Sequence, residues 1–416
     1  LRDAHGSVAK LCPSGAEIRR ICCKKEESSM AKGYLTTVSG VLFCALLLTV
    51  GVTSVRAGDD DDAILKNLHK VTTITSTIPA NGDVNPYGIV RVPRTIGRLT
   101  AGDILISNFN GSGNLQGTGT TIVEIAPSGG LTVFAQINAA TLPGSCPGGV
   151  GLTTALTVLR TGWVIVGSLP TTDGSSKTAQ AGCLIVLDSS GKPVETFFGS
   201  LISGPWDMTA SDEDTHAELF VTNVLNSTLA ASPNIVQQGT VVRINLQVSE
   251  RQMPSIESMT VVGSGFSERT DPAALVIGPT GVGLSPACNA SDADDCTTEN
   301  GQRTLYVADT LNNRIALIPN AIDRTTSAGT GTTLSHGGSL NFPLGLTVAS
   351  NGEVLTVNGG DGFITEIAPG GAQIAKKLLD TSGTPPGSGA LFGLIYEQGQ
   401  GLLFVDDASN TLNLLH

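Results

Sequence analysis

The chain has 416 residues, of which 14% are charged and 4% aromatic, with 51 Gly, 20 Pro and a formal net charge of −12. With 40% hydrophobic residues it is not a disordered chain, which needs low hydrophobicity together with high charge. The acidic balance also excludes nucleic acid and anionic membrane surfaces as electrostatic partners.

Residues 1–29 mix both charges with Cys12, Cys22 and Cys23 and show no periodicity. They read as an upstream extension outside any fold. Residues 30–57 have the form of a signal peptide: Met30, the single charge of Lys32, an apolar run from Val38 to Val52, and Val55-Arg56-Ala57 before a cut ahead of Gly58. The run is shorter than the about 20 residues of a membrane-spanning helix. The protein is therefore expected to be secreted, extracellular or periplasmic, with no membrane span after processing. Residues 58–68, opening on the acid run Asp59 to Asp62, are expected to be a flexible mature terminus.

Cys146, Cys183, Cys288 and Cys296 remain after that cut. An even number in an exported chain predicts two disulfides. Cys288 and Cys296 close a short Asp-rich loop, which leaves Cys146 with Cys183. A zinc site is the alternative, but no Cys-x-x-Cys or adjacent His supports it.

From residue 69 onward one short element recurs. It stands as Pro86-Tyr87-Gly88-Ile89, a degenerate Thr153-Thr154-Ala155-Leu156, Pro205-Trp206-Asp207-Met208, Pro272-Ala273-Ala274-Leu275, Pro343-Leu344-Gly345-Leu346 and Leu391-Phe392-Gly393-Leu394. Each copy precedes a β-rich run ending in a small or polar residue, as in Ile104 to Asn108, Leu219 to Asn223, Leu305 to Asp309 and Leu403 to Asp407. A third strand follows, and Ile122-Val123-Glu124-Ile125-Ala126-Pro127 nearly repeats as Ile364-Thr365-Glu366-Ile367-Ala368-Pro369. Val357 and Val405 are 48 residues apart, the length of one four-stranded propeller blade. Six units predict an all-β, six-bladed β-propeller filling 69–416 as a single domain, with blades from about 83. The β-branched segment 71–78 has no blade of its own. Set outside the last unit, it closes the ring and removes an open edge.

The stretch Leu305-Tyr306-Val307-Ala308-Asp309-Thr310-Leu311-Asn312-Asn313-Arg314-Ile315 resembles an NHL repeat, and looser resemblance extends over roughly 83–416. The resemblance implies a binding platform, with lyases and metal-dependent lactonases among its relatives. The first expectation is thus an exported binding or protein-interaction scaffold for an unknown protein or small-molecule ligand, monomeric and without a cofactor. The alternative is a channel-centred lyase or metal-dependent lactonase.

Tyr87, Trp206, Leu344 and Phe392 are expected to face the axis as an apolar constriction or ligand seat. Asn108, Asn223, Asp309 and Asp407 are the repeated polar candidates for ligand contact. They would be the ligands if Ca²⁺ were bound, although Asn and Asp at strand ends more often cap turns. His216 and His336 lie in loop-like sequence of different units, and Asp292, Asp294 and Asp295 lack the Gly and distal Glu of a calcium loop. No nucleophile elbow, phosphate loop or dinucleotide fingerprint appears.

Overall fold

The computed structural model describes residues 63–213, 215–287 and 302–416. The proposed signal peptide, Asp59 to Asp62 and the Cys288–Cys296 loop with its three aspartates lie outside the described residues. Strand β1 (Val71–Ser76) is followed by β2 (Val84–Arg91), β3 (Ile104–Asn110), β4 (Thr121–Ile125) and β5 (Leu131–Gln136), the last four making the first blade. The second blade is β6 (Leu152–Val158), β7 (Val164–Ser168), β8 (Cys183–Leu187) and β9 (Pro193–Phe197). The third has five strands: β10 (Pro205–Asp212), β11 (His216–Asn223), the long pair β12 (Val236–Gln247) and β13 (Ser255–Asp271), and β14 (Leu275–Ile277). The fourth is β15 (Pro279–Leu284), β16 (Leu305–Asp309), β17 (Arg314–Ile318) and β18 (Thr332–His336). The fifth is β19 (Pro343–Val348), β20 (Val354–Asn358), β21 (Phe363–Ile367) and β22 (Gln373–Leu378). The sixth is β23 (Leu391–Glu397), β24 (Gly401–Asp406) and β25 (Thr411–Leu415), with β1 as its outer strand. The chain is thus a six-bladed β-propeller closed by its N-terminal strand: Val71 pairs with Leu415 and Ser76 with Thr411.

The inner strands β2, β6, β10, β15, β19 and β23 pack side by side, and β23 meets β2 to complete the ring. Every inner strand carries a register shift at its start, between Pro86 and Gly88 in the first blade and between Pro343 and Leu346 in the fifth. Such a bulge turns the residue after the Pro toward the axis. The next position must be small. A Cβ on Gly345 would stand 1.9 Å from the Phe392 carbonyl oxygen, and one on Gly281 2.0 Å from that of Leu344.

The structure corrects three expectations. The inner strand of the fourth blade is built on Pro279-Thr280-Gly281-Val282, not on Pro272-Ala273-Ala274-Leu275. The Asp271 carboxylate instead holds the Ala273 and Ala274 amides at 2.8 and 3.0 Å in a turn, a setting that suits Pro272. In the last blade the second strand ends at Asp406, one residue before the Asp407 read from the sequence, and Leu394 stands opposite Phe404. Residues 63–68 are also not a free tail: Ile64 and Leu65 are buried in a short helix, α1 (Ile64–Asn67). The Glu366 carboxylate accepts their amides at 2.7 and 2.8 Å.

Cys146 and Cys183 form a disulfide, tying the connection before β6 to β8. Among the described residues no helix is long and apolar enough to cross a membrane.

Candidate functional site

Tyr87, Trp206, Leu344 and Phe392 converge on the axis, all at least nine-tenths buried. The Tyr87 ring stacks on Phe392 at 3.8 Å between centroids and on Phe109 at 4.6 Å, with Trp206 at 6.4 Å. Tyr87, Leu344 and Phe392 of this packed group form the floor of a cavity of about 850 Å³ at the end where the inner strands begin. Phe342 and Asn85, which precede the prolines of their strands, stand on its wall. Both have positive φ, 54° and 66°, a region that non-glycine residues rarely occupy and that Pro disfavours in its predecessor. The Asn410 side chain holds the Asn85 amide at 2.7 Å, and that of Asn313 holds the Phe342 amide at 2.6 Å.

Asn85 is held there beside Asp407. With its amide nitrogen toward the carboxylate, Asn85 donates to Asp407 Oδ2 at 3.0 Å and accepts from Asn110 Nδ2 at 3.0 Å. Burial pushes the Asp407 pKa up to about 7, and the charge of Asp406 adds to the effect. Burial also raises the Tyr87 hydroxyl well above its ordinary value; the Asp407 charge acts the same way, while a hydrogen bond with Asn85 opposes it. A carboxyl, an amide and a phenol therefore meet at the cavity floor. Asp407 is placed there by the register of the last blade. Asp406, not Asp407, ends β24 opposite Leu391, so Asp407 falls beyond the sheet and into the cavity.

The other polar candidates are engaged in the scaffold. Asn108 is fully buried and donates to the Thr77 carbonyl at 3.1 Å, joining the first blade to the closing segment. Asn223 accepts from the Gly204 amide at 3.4 Å. Asp309 is fully buried and binds Arg314 Nη2 at 2.9 Å and Asn312 Nδ2 at 2.9 Å. His216 lies on an exposed strand start near Glu257 and His336 on the outer strand β18; neither lines the cavity. Sequence reasoning missed Asn85 and Asn110. The available signal was an Asn before Pro86, where the third and fourth blades carry Gly204 and Gly278.

A resident divalent cation is held by several carboxylate and carbonyl oxygens. The donor set here does not fit that demand. With the Asn85 amide turned nitrogen-first, Asp407 is met by a donor and the carbonyl of that amide goes to Asn110. Among the described residues no group of three His, Cys, Asp or Glu side chains stands together.

No protein-family model matches the chain, and no curated protein matches it. Among solved structures it is similar to a gluconolactonase from Xanthomonas campestris, at 12% identity over 83% of this chain and 88% of that one, TM-score 0.48. It is also similar to the calcium-binding protein regucalcin from Agrobacterium tumefaciens (15% identity, 82% and 95% covered, TM-score 0.47). A third is virginiamycin B lyase from Staphylococcus aureus (14% identity, 83% and 98% covered, TM-score 0.44). The expectation of a plain binding scaffold is corrected. The channel mouth gathers Asp407, Asn85 and Tyr87 as convergent polar groups, where a scaffold would need only packing.

Proposed function

We propose that the chain is an acid–base enzyme that opens small, uncharged cyclic esters in the 850 Å³ cavity, with Asp407 as general base. One observation carries this reading: a buried carboxyl with its pKa near 7, steadied by Asn85, faces a cavity of ligand size. An acid–base group works best when its pKa lies close to the working pH. In the proposed step the Asp407 carboxylate takes a proton from water as the water oxygen bonds to the ester carbonyl carbon. The ring C–O bond then breaks, and the departing oxygen receives the proton back from Asp407. Tyr87 and Phe392 give the ring a flat apolar face, and Asn85 fixes the carboxylate. No cofactor enters this scheme.

Export belongs to the same proposal and is supported by the Cys146–Cys183 bridge, which an oxidising compartment allows. The NHL-like assignment is supported by the Asp309–Arg314 pair within the stretch that resembles that repeat.

The test is turnover of five- and six-membered sugar lactones by the purified chain, followed as acid release. Asp407→Asn is expected to lower kcat by about 10²–10⁴ with the fold retained. The wild-type rate should rise with pH through about 7, because only the ionised carboxyl can accept a proton. Absence of turnover with every lactone, or an unaltered rate in Asp407→Asn, overturns the proposal. A product carrying a new double bond would replace it with elimination.

A further inference from the structure

Below the aromatic constriction lies a second chamber of about 280 Å³, where the inner strands end. Its walls include Ile89, Leu156, Met208, Val282, Leu346 and Leu394, one aliphatic residue from each blade at the same repeat position. Two blades break the repeat at this level. Where the other blades have Gly88, Ala155, Gly281, Gly345 and Gly393, the third has Asp207. The second blade has an extra residue in its bulge, between Leu152 and Leu156, and this brings Thr154 into the chamber wall.

Asp207 is 8% exposed and Thr154 4%. The Asp207 Oδ2 atom accepts the Val282 amide at 3.0 Å, and no salt bridge to the carboxylate is found among the described residues. Thr154 Oγ1 is buried with no hydrogen-bond partner. Among the described residues, Asp207 is the only titratable one lining the chamber. The buried Asp207 carboxylate accepts backbone amides but has no positive donor, and an ammonium group supplies three N–H donors in one charge. One carboxylate falls short of the set that a calcium ion gathers, whereas the aliphatic ring suits an alkyl chain.

We infer that this chamber is a second binding site, separate from the Asp407 cavity, for the ammonium group of a small primary alkylamine. Asp207 accepts from the ammonium, and the six apolar side chains enclose the chain. The chamber has the volume of about nine water molecules, so the amine is short. Burial holds the Asp207 pKa at about 7, and binding therefore tightens as pH rises through that value.

The experiment is calorimetric titration of the full chain with n-butylammonium chloride at pH values on either side of 7, with n-butanol and calcium chloride as comparison probes. Saturable binding of butylammonium at the higher pH is expected, weakened about tenfold or more in Asp207→Asn and unchanged in Asp407→Asn. Leu394→Phe, which fills part of the chamber, is expected to weaken binding in the same direction and serves if Asp207→Asn does not fold. The inference is overturned by absence of butylammonium binding, by equal affinity in both chamber variants, by equally tight butanol binding, or by calcium binding that depends on Asp207. Loss of lactone turnover in Asp407→Asn with butylammonium binding intact would separate the two sites.

Discussion

Several carboxyls of this protein are buried without a cation, and their titration sets how stability depends on pH. Glu268 on β13 is fully buried, and burial raises its pKa from 4.5 to about 8; the Asn226 amide at 3.0 Å opposes the shift only in part. A carboxyl with a raised folded-state pKa contributes its stability below its unfolded value and loses it as pH climbs through the folded one. Stability should therefore fall between pH 4.5 and about 8, by at most about 1.4 kcal/mol per pH unit for this group. Urea unfolding at the two ends of that window checks it: Glu268→Gln is expected to lose less than the wild type, and equal losses would contradict the assignment. None of this was legible in the sequence. Glu268 and Asp407 sit among ordinary polar neighbours in the chain and Asp207 between Trp206 and Met208, and only the packing of distant strands buries their carboxyls.

At the level of elements, the closeness of the inner strands makes its own demand. Gly345→Ala is expected to destabilise by about 1–3 kcal/mol, because the new methyl meets the Phe392 backbone, which cannot swing aside as a side chain can. Gly130, with nothing within 4 Å of an added Cβ, should accept Ala nearly without effect, and thermal melts of the two variants decide the matter. The repeat was readable because each blade must meet the same steric rule at the axis. The fourth copy was misread because the 17 residues of β13 push the true inner strand downstream, and a turn containing Pro272 imitates the motif. Asp407 was singled out for a reason that does not hold, as a strand-end residue. It is the residue after the strand end, and the shift by one is what takes it out of the ladder and into the cavity. Asn85 escaped notice because its role depends on a backbone angle that composition and spacing do not reveal.

For the whole molecule, closure by β1 is the decisive feature. The pairing of Val71 to Ser76 with Leu415 to Thr411 joins the sixth blade to the strand that precedes the first, and α1 is pinned to the fifth blade by Glu366. Removing residues through Ser76 is expected to leave β25 as an open edge and convert a single cooperative unfolding transition into a broad one. Calorimetry and light scattering would show it, as a lower, wider transition with association through the exposed strand. An equally sharp transition would mean that the ring does not depend on this strand. The same pairing also fixes an order of events during synthesis. At about 5–20 residues per second, tens of seconds pass between the emergence of Ser76 and that of Thr411 from the ribosome. Throughout that interval the first strand has no partner, and the axis cannot be enclosed. A chain released before Thr411 would present two unpaired edges, and these are the surfaces a chaperone must cover until elongation reaches the last strand.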